Sequence, residues 1–291
     1  MRFQWIDSQR ERFSLANLCR VMNVTRSGYY QWQKRQENPS ASQLRRKELL
    51  GRIKLAYDDG RGLYGSPRIH AALMEQGIST CLNTVARLMK EARIKAVTAR
   101  RFRVLTTDSN HDYRPAVNLL ERDFTATGPN QKWLCDITYV PTGEGTLYLA
   151  SVLDVFSRRI VGWSMQKHLK AELCMEALEM ALKARRPGRD LVHHSDRGVQ
   201  YACDAYQELL AAHGITCSMS RRGNCYDNAM MESYHGTVKT ELVYQQPNQR
   251  FASIEQAKQR LFEYIEVFYN RQRRHSAIGY ISPEAFEAAL N

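Results

Sequence analysis

From Gln131 onward the apolar pattern of this chain changes period, and that change limits the folds open to it. Three runs of β-forming residues, 132–140, 146–154 and 159–166, follow one another across tight turns at Pro141–Gly145 and Phe156–Arg158. Runs spaced this way form an antiparallel meander. Helical and extended patterns then alternate. A helix over 172–185 precedes a short buried strand at 191–194, a helix over 201–212 precedes a strand at 215–219, and a further helix follows. Asp227 or Asn228 can cap that helix by accepting from an orphan backbone N–H. The order predicts an α/β core, a five-stranded mixed sheet with flanking helices.

The first third of the chain has a different character. Residues 1–110 carry 21 Lys and Arg against 9 Asp and Glu, whereas the remainder carries 21 of each. The whole net charge of +12 therefore sits on this third, which suits a polyanion-binding module joined to a neutral one. Ser14 caps a stripe of Leu15, Leu18, Cys19 and Met22, and Thr25 or Ser27 caps a second helix bearing Tyr29, Tyr30 and Trp32. Two short helices on a polar turn follow helix-turn-helix grammar, which is shared with a plain helical hairpin. A basic helix over 43–58 closes this N-terminal region, 1–58.

A second helix-turn-helix unit spans 59–103. Ser66 caps its first helix, Pro67 takes the first helical position, and Gly77 ends it. The next helix, 81–93, turns Val85, Leu88 and Met89 inward and Arg87, Lys90 and Arg93 outward as candidate DNA contacts. Arg100, Arg101 and Arg103 extend a basic run that can track phosphates. Residues 104–130 are irregular and polar, as a linker is. The α/β core occupies 131–245, and 246–291 forms a helical extension with a long helix over 253–270 and a short Ser282-capped helix near its end.

Seven scattered cysteines, none in a CxxC pair, argue against a zinc module or a disulfide framework and suit a reducing cytoplasm. The N-terminus lacks the apolar stretch of a signal peptide. No apolar run approaches the ~20 residues a membrane helix needs, so the expected partners include no membrane.

Three carboxylates stand out by position. Asp136 lies mid-strand, where a charge is costly unless paired or metal-bound. Asp196 follows the fourth strand, at the end where open α/β sheets gather ligands. Glu232 sits on the helix after the fifth strand, with His235 and Lys239 on its face and 35 residues between it and Asp196. Asp154 is a further carboxylate in the sheet, beside a tight turn, where a structural or turn-capping role fits it best and a fourth metal ligand is the alternative.

The segments holding these residues are Trp133-Leu-Cys-Asp-Ile-Thr-Tyr139, His194-Ser-Asp-Arg-Gly-Val-Gln-Tyr201 and Asp227-Asn-Ala-Met-Met-Glu-Ser-Tyr-His-Gly-Thr-Val-Lys239. Together with Tyr64-Gly-Ser-Pro-Arg-Ile-His70 and the tail from Asn270 to Phe286, they resemble the OrfB-type bacterial insertion-sequence transposases, encoded by a second, overlapping reading frame. These belong to the DDE transposase and retroviral-integrase superfamily. The resemblance covers nearly the whole chain. It implies an RNase H-like catalytic core behind all-α helix-turn-helix modules. It also implies metal-dependent strand cleavage and 3′-OH strand transfer, with Asp136, Asp196 and Glu232 as catalytic ligands of two Mg2+ ions that Mn2+ can replace.

The chemistry agrees. Two hard cations ~3.5–4 Å apart activate an attacking oxygen and stabilise the leaving one in line, and Mg2+ prefers oxygen ligands. Asp136 would bridge both ions, Asp196 complete one site and Glu232 the other. Lys239 resembles the core lysine that touches DNA in integrases. The implied partners are the element's terminal inverted repeats, target DNA, further copies of the chain on DNA, and the product of the upstream frame. The implied location is the bacterial cytoplasm, at the nucleoid when DNA is bound. The chain departs from retroviral integrases in lacking an N-terminal zinc module and in carrying His235-Gly236 on the catalytic helix; His235 has no role at this level. Alternatives are an RNase H-like nuclease that never joins, a catalytically dead DNA-binding regulator, and a tyrosine recombinase built on Tyr201 or Tyr226 with Arg271, Arg274 and His275. The last leaves the three carboxylates without work.

Overall fold

A computed structural model of the chain describes residues 1–97, 113, 115–222 and 224–290. Three helices open it: α1 (Arg2–Gln9), α2 (Leu15–Val21) and α3 (Arg26–Glu37). Ser14 caps α2 by accepting from Asn17 N, and Thr25 caps α3 by accepting from Gly28 N. Ile6, Leu18, Cys19 and Tyr29 form a small core of their own. The sequence pattern did not reveal α1, whose single buried residue is Ile6.

The next helices are α4 (Ala41–Asp59), α5 (Ser66–Glu75) and α6 (Leu82–Glu91). Ile53 and Ala56 of α4 share a core with Ile69 and Leu73 of α5 and Val85, Leu88 and Met89 of α6. Gly65, not Ser66, is the N-cap of α5, so Pro67 stands at its second position. Gly77, at φ +75°, turns the chain after α5.

The sheet comprises β1 (Lys132–Thr142), β2 (Gly145–Asp154), β3 (Ile160–Gln166), β4 (Val192–Ser195) and β5 (Thr216–Met219). Its order is β3-β2-β1-β4-β5. The meander β1-β2-β3 is antiparallel, and β4 and β5 run parallel to β1. On one face, Trp133, Cys135, Val152 and Val161 pack against α7 (Ala171–Arg185), α8 (Val199–Ala202) and α9 (Asp204–Ala212). The helix expected over 201–212 is thus two helices, broken at Cys203, whose backbone is extended (φ −66°, ψ 151°). Each large apolar side chain fully buried there contributes about 1.5–3 kcal/mol.

On the other face, Leu134, Val140, Leu149 and Leu153 pack against α10 (Ala229–Val238) and α11 (Ile254–Phe262) and join the α4–α6 core. A terminal helix, α12 (Pro283–Ala288), is capped by Ser282. Both α10 and α11 continue as π-helical turns, over Lys239–Val243 and Glu263–Tyr269.

Each sheet edge is met by another part of the chain. Asn270 accepts from Ile160 N and donates to Ile160 O, both at 2.9 Å, occupying backbone groups of β3. Along β5, Ser218 Oγ accepts from Leu119 N at 2.9 Å and Met219 N donates to Val117 O at 3.4 Å. Residues 115–130 therefore lie against the core, with Leu120 buried, although their composition reads as a linker. Covered edges are closed to pairing with other strands.

Candidate active site

Strand pairing brings the first two carboxylates to one place. Leu134 pairs with His194 on the neighbouring parallel strand, so Asp136, two residues on in β1, and Asp196, one residue beyond the end of β4, are carried toward the same end of the sheet. Neighbouring strands lie about 4.8 Å apart. The face that carries Asp136 is the one α10 covers. His235 on α10 places Nδ1 3.4 Å from Asp136 Oδ2. Glu232 precedes His235 by three residues, about 4.5 Å of helical rise, and is exposed.

The carboxylates are differently held. Asp136 Oδ1 accepts from Ile137 N at 2.8 Å. Asp196 Oδ1 accepts from Gly198 N at 2.9 Å. Both residues keep partial exposure. Among the described residues, no group of three His, Cys, Asp or Glu side chains is placed so that it could hold a metal ion. The donor chemistry nevertheless fits a hard cation, because the softer candidates nearby are committed elsewhere. His194 pairs Nδ1 with Ser218 Oγ at 2.8 Å and Nε2 with Ser220 Oγ at 3.1 Å. His193 Nε2 meets Tyr206 Oη at 2.9 Å. Burial pushes the Cys135 and Cys174 thiols up, away from thiolate.

Lys239 lies on the side of the helix that the spacing from Glu232 predicts, but it is buried rather than solvent-facing. Its Nζ sits 4.7 Å from the centre of the Tyr139 ring. Burial lowers its pKa, and the Asp136 charge acts against that shift. Arg87, Lys90 and Arg93 are exposed while Val85, Leu88 and Met89 are buried, the division the periodicity predicts. The helix ends at Glu91, and Arg93 adopts a left-handed turn (φ 57°) beyond it. Arg100, Arg101 and Arg103 lie outside the described residues.

Neither expected cap of α10 acts as one. Asn228 stands at the N-cap position without a side-chain cap bond. Its Nδ2 instead donates to Cys135 O at 3.2 Å, the carbonyl just before Asp136. Asp227 is enclosed and accepts from Arg221 N, Nε and Nη2, Arg122 Nε and Asn118 Nδ2. This Asp-Asn pair ties the start of α10 to β1 and to the segment along β5. Its role escaped the sequence because its partners lie up to 109 residues away. His235 was missed for the same reason.

Asp154 caps its turn. Its carboxylate accepts from Phe156 N and Asn130 N at 2.9 and 2.7 Å, with Arg185 Nη2 3.6 Å away. Burial raises its pKa. Tyr201 is buried in the α7–α9 core, while Tyr226 is exposed; the residues that would serve either are committed elsewhere, Arg274 to Glu75 and Arg271 to Glu284, with His275 buried.

The integrase core domain family matches residues 126–225, and a second integrase core domain family matches 213–283. An HTH-like domain family matches 44–102. The chain is 46% identical over 269 residues to the insertion element IS600 uncharacterized 31 kDa protein of Shigella sonnei, covering 92% of this chain and 97% of that one. It is 40% identical over 287 residues to transposase InsF for insertion sequence IS3A of Escherichia coli, covering 99% and 98%. Among solved structures it is similar to the HTLV-2 integrase catalytic core domain in complex with magnesium, at 16% identity and a TM-score of 0.43. That match covers 56% of this chain and 99% of that one.

Proposed function

The chain belongs to the IS3 family of insertion-sequence transposases, polynucleotidyl transferases with an integrase core, and from that premise we propose that it cuts and joins DNA on Asp136, Asp196 and Glu232. The observation that supports this reading is the parallel pairing of β1 with β4, which carries Asp136 and Asp196 toward the same end of the sheet, with His235 of α10, three residues after Glu232, in contact with Asp136. These carboxylates would hold two Mg2+ ions, or Mn2+ in their place. Bound there, the ions supply activation of the attacking oxygen and stabilisation of the leaving one.

The protein's own residues fix the geometry. The Ile137 amide and the His235 ring hold the two oxygens of Asp136 in one rotamer. The Gly198 amide does the same for one oxygen of Asp196. Lys239, with its stem buried and its ammonium against Tyr139, offers a rigid phosphate contact near Asp136. Water in the attacking position gives cleavage, and a DNA 3′-OH there gives strand transfer.

The helical units before the core are proposed to hold the element ends. The exposed Arg87, Lys90 and Arg93 contact DNA, and Arg100, Arg101 and Arg103 extend that basic run. Further copies of the chain and the product of the upstream reading frame complete the assembly on DNA, in the bacterial cytoplasm. Among the described residues no helix is long and apolar enough to cross a membrane.

A strand-transfer assay with pre-cleaved end oligonucleotides and Mg2+ tests the reading. Joined product is the expected result. Cleavage without joining would identify a nuclease, and binding with neither activity would identify a regulator.

A further inference from the structure

The α4–α6 unit meets the catalytic layer through a cluster whose charges do not balance. Its acidic member is Glu241, two residues beyond Lys239 in the same helical continuation. Glu241 Oε2 accepts from Arg273 Nε and from Tyr264 Oη, each at 2.7 Å, and Oε1 accepts from Arg273 Nη2 at 2.7 Å. The two side chains are 9% and 6% exposed. Arg273 thus matches Glu241 fork to fork.

A second guanidinium reaches the same carboxylate. Arg68, in the first turn of α5, places Nη1 3.7 Å from Glu241 Oε1. Among the described residues its guanidinium donates no hydrogen bond. The Tyr64 ring lies beneath it, 5.6 Å from Cζ, and its side chain stays 23% exposed. His275 touches Arg273 Nη1 at 3.3 Å but brings no charge, because burial and the neighbouring arginines push its pKa down to about 2. Two arginines face one carboxylate, and the surplus positive charge is on Arg68.

Two other arginines between this unit and the core are matched one to one. Arg61 donates from both Nη atoms to Glu263, and Arg274 pairs with Glu75. They dock the unit on the core. Arg68 has the residue type, partial exposure and unspent donors for an anion that is not part of the chain. A half-buried cation that only shares another arginine's carboxylate is costly, and a phosphodiester supplies both the charge and a pair of acceptor oxygens.

We propose that Arg68 is a DNA phosphate contact at the seam, holding the backbone of the element end where it passes from α6 to the Asp136 site. This rests on the reading of α6 as a DNA-binding helix and of Asp136 as catalytic. It adds a contact outside both.

The test is equilibrium binding of the full chain to an end duplex across a salt series. Losing one phosphate contact lowers the slope of log K against log salt by about 0.9. R68Q is expected to show that drop, whereas R68K and R61Q keep the slope of the unsubstituted protein. An unchanged slope in R68Q overturns the assignment. Salt-independent binding by the unsubstituted protein would overturn the DNA-binding reading and this inference with it. A methylphosphonate scan, read on the unsubstituted protein, keeps the test independent of how any variant folds. Neutralising one phosphate between the α6 contacts and the terminal nucleotide should weaken binding, and a flat scan there overturns the proposal.

Discussion

Asp227 is enclosed, yet its carboxylate gathers donors from Arg221, Arg122 and Asn118. Those donors hold its pKa far below the usual carboxylate range. Hydrogen bonds to a charged group contribute about 1.5–3 kcal/mol, so Asp227→Asn is expected to lose about 2 kcal/mol of folding stability at pH 7. Because the folded pKa is depressed, that contribution is present above the unfolded carboxylate value, about 4, and fades as pH falls below it. Denaturant unfolding at pH 7 and pH 3 checks this: the gap between variant and parent should shrink at the lower pH. Histidines act in the same direction on the acid side. Burial pushes the pKa of His193 down to about 3 and that of His275, beside Arg273, down to about 2. Each stays neutral in the folded chain while the unfolded chain takes up a proton below about pH 6.5. Stability should therefore fall between pH 6.5 and pH 5, by roughly 1.4 kcal/mol per pH unit for each histidine at most. A melting temperature unchanged over that interval would count against their burial.

Helix α7 lies on β3 at a point where there is no room for a side chain. A Cβ on Gly162 would come within 2.2 Å of Ala177 O and 2.8 Å of Ala181 Cβ. Overpacking of this kind costs about 1–3 kcal/mol, so Gly162→Ala should lower the unfolding free energy by that amount, read as a lower denaturation midpoint at unchanged slope. A neutral effect would mean that α7 sits farther from the sheet. At this scale the sequence was most legible where the signal is local. Amphipathic spacing gave the inward Val85, Leu88 and Met89, and Ser14, Thr25 and Ser282 cap helices where their positions suggest. It was least legible where the deciding partner is remote. The break at Cys203, the docking of residues 115–130 on β5 and the commitments of Asp227 and His235 all depend on contacts that period and propensity do not encode. Composition misleads at 115–130 because a polar, irregular segment can satisfy an edge strand as well as span a gap.

Across the whole molecule, two apolar cores lie on opposite faces of one sheet, and the face that carries Asp136 is also the face that receives α10, α11 and the α4–α6 unit. The α10–α11 layer over Asp136 and the basic helices α4–α6 therefore share one core, joined by Arg61–Glu263, Arg274–Glu75 and the Arg68–Glu241–Arg273 cluster. The tail ties α7, on the opposite face, to the turn before β3, where Glu287 of α12 binds Arg185 and Arg159. Position in the elements made Asp136, Asp196 and Glu232 candidates, and the resemblance to insertion-sequence transposases gave them their proposed role. The central claim is that these three side chains carry DNA joining. Its most direct test is the joining of a pre-cleaved end oligonucleotide to target DNA by the Asp196→Asn protein in Mg2+. Loss of several kcal/mol of transition-state stabilisation predicts a fall in joining on the order of a thousandfold, with end binding and melting temperature retained. Joining at the parental rate would contradict the account.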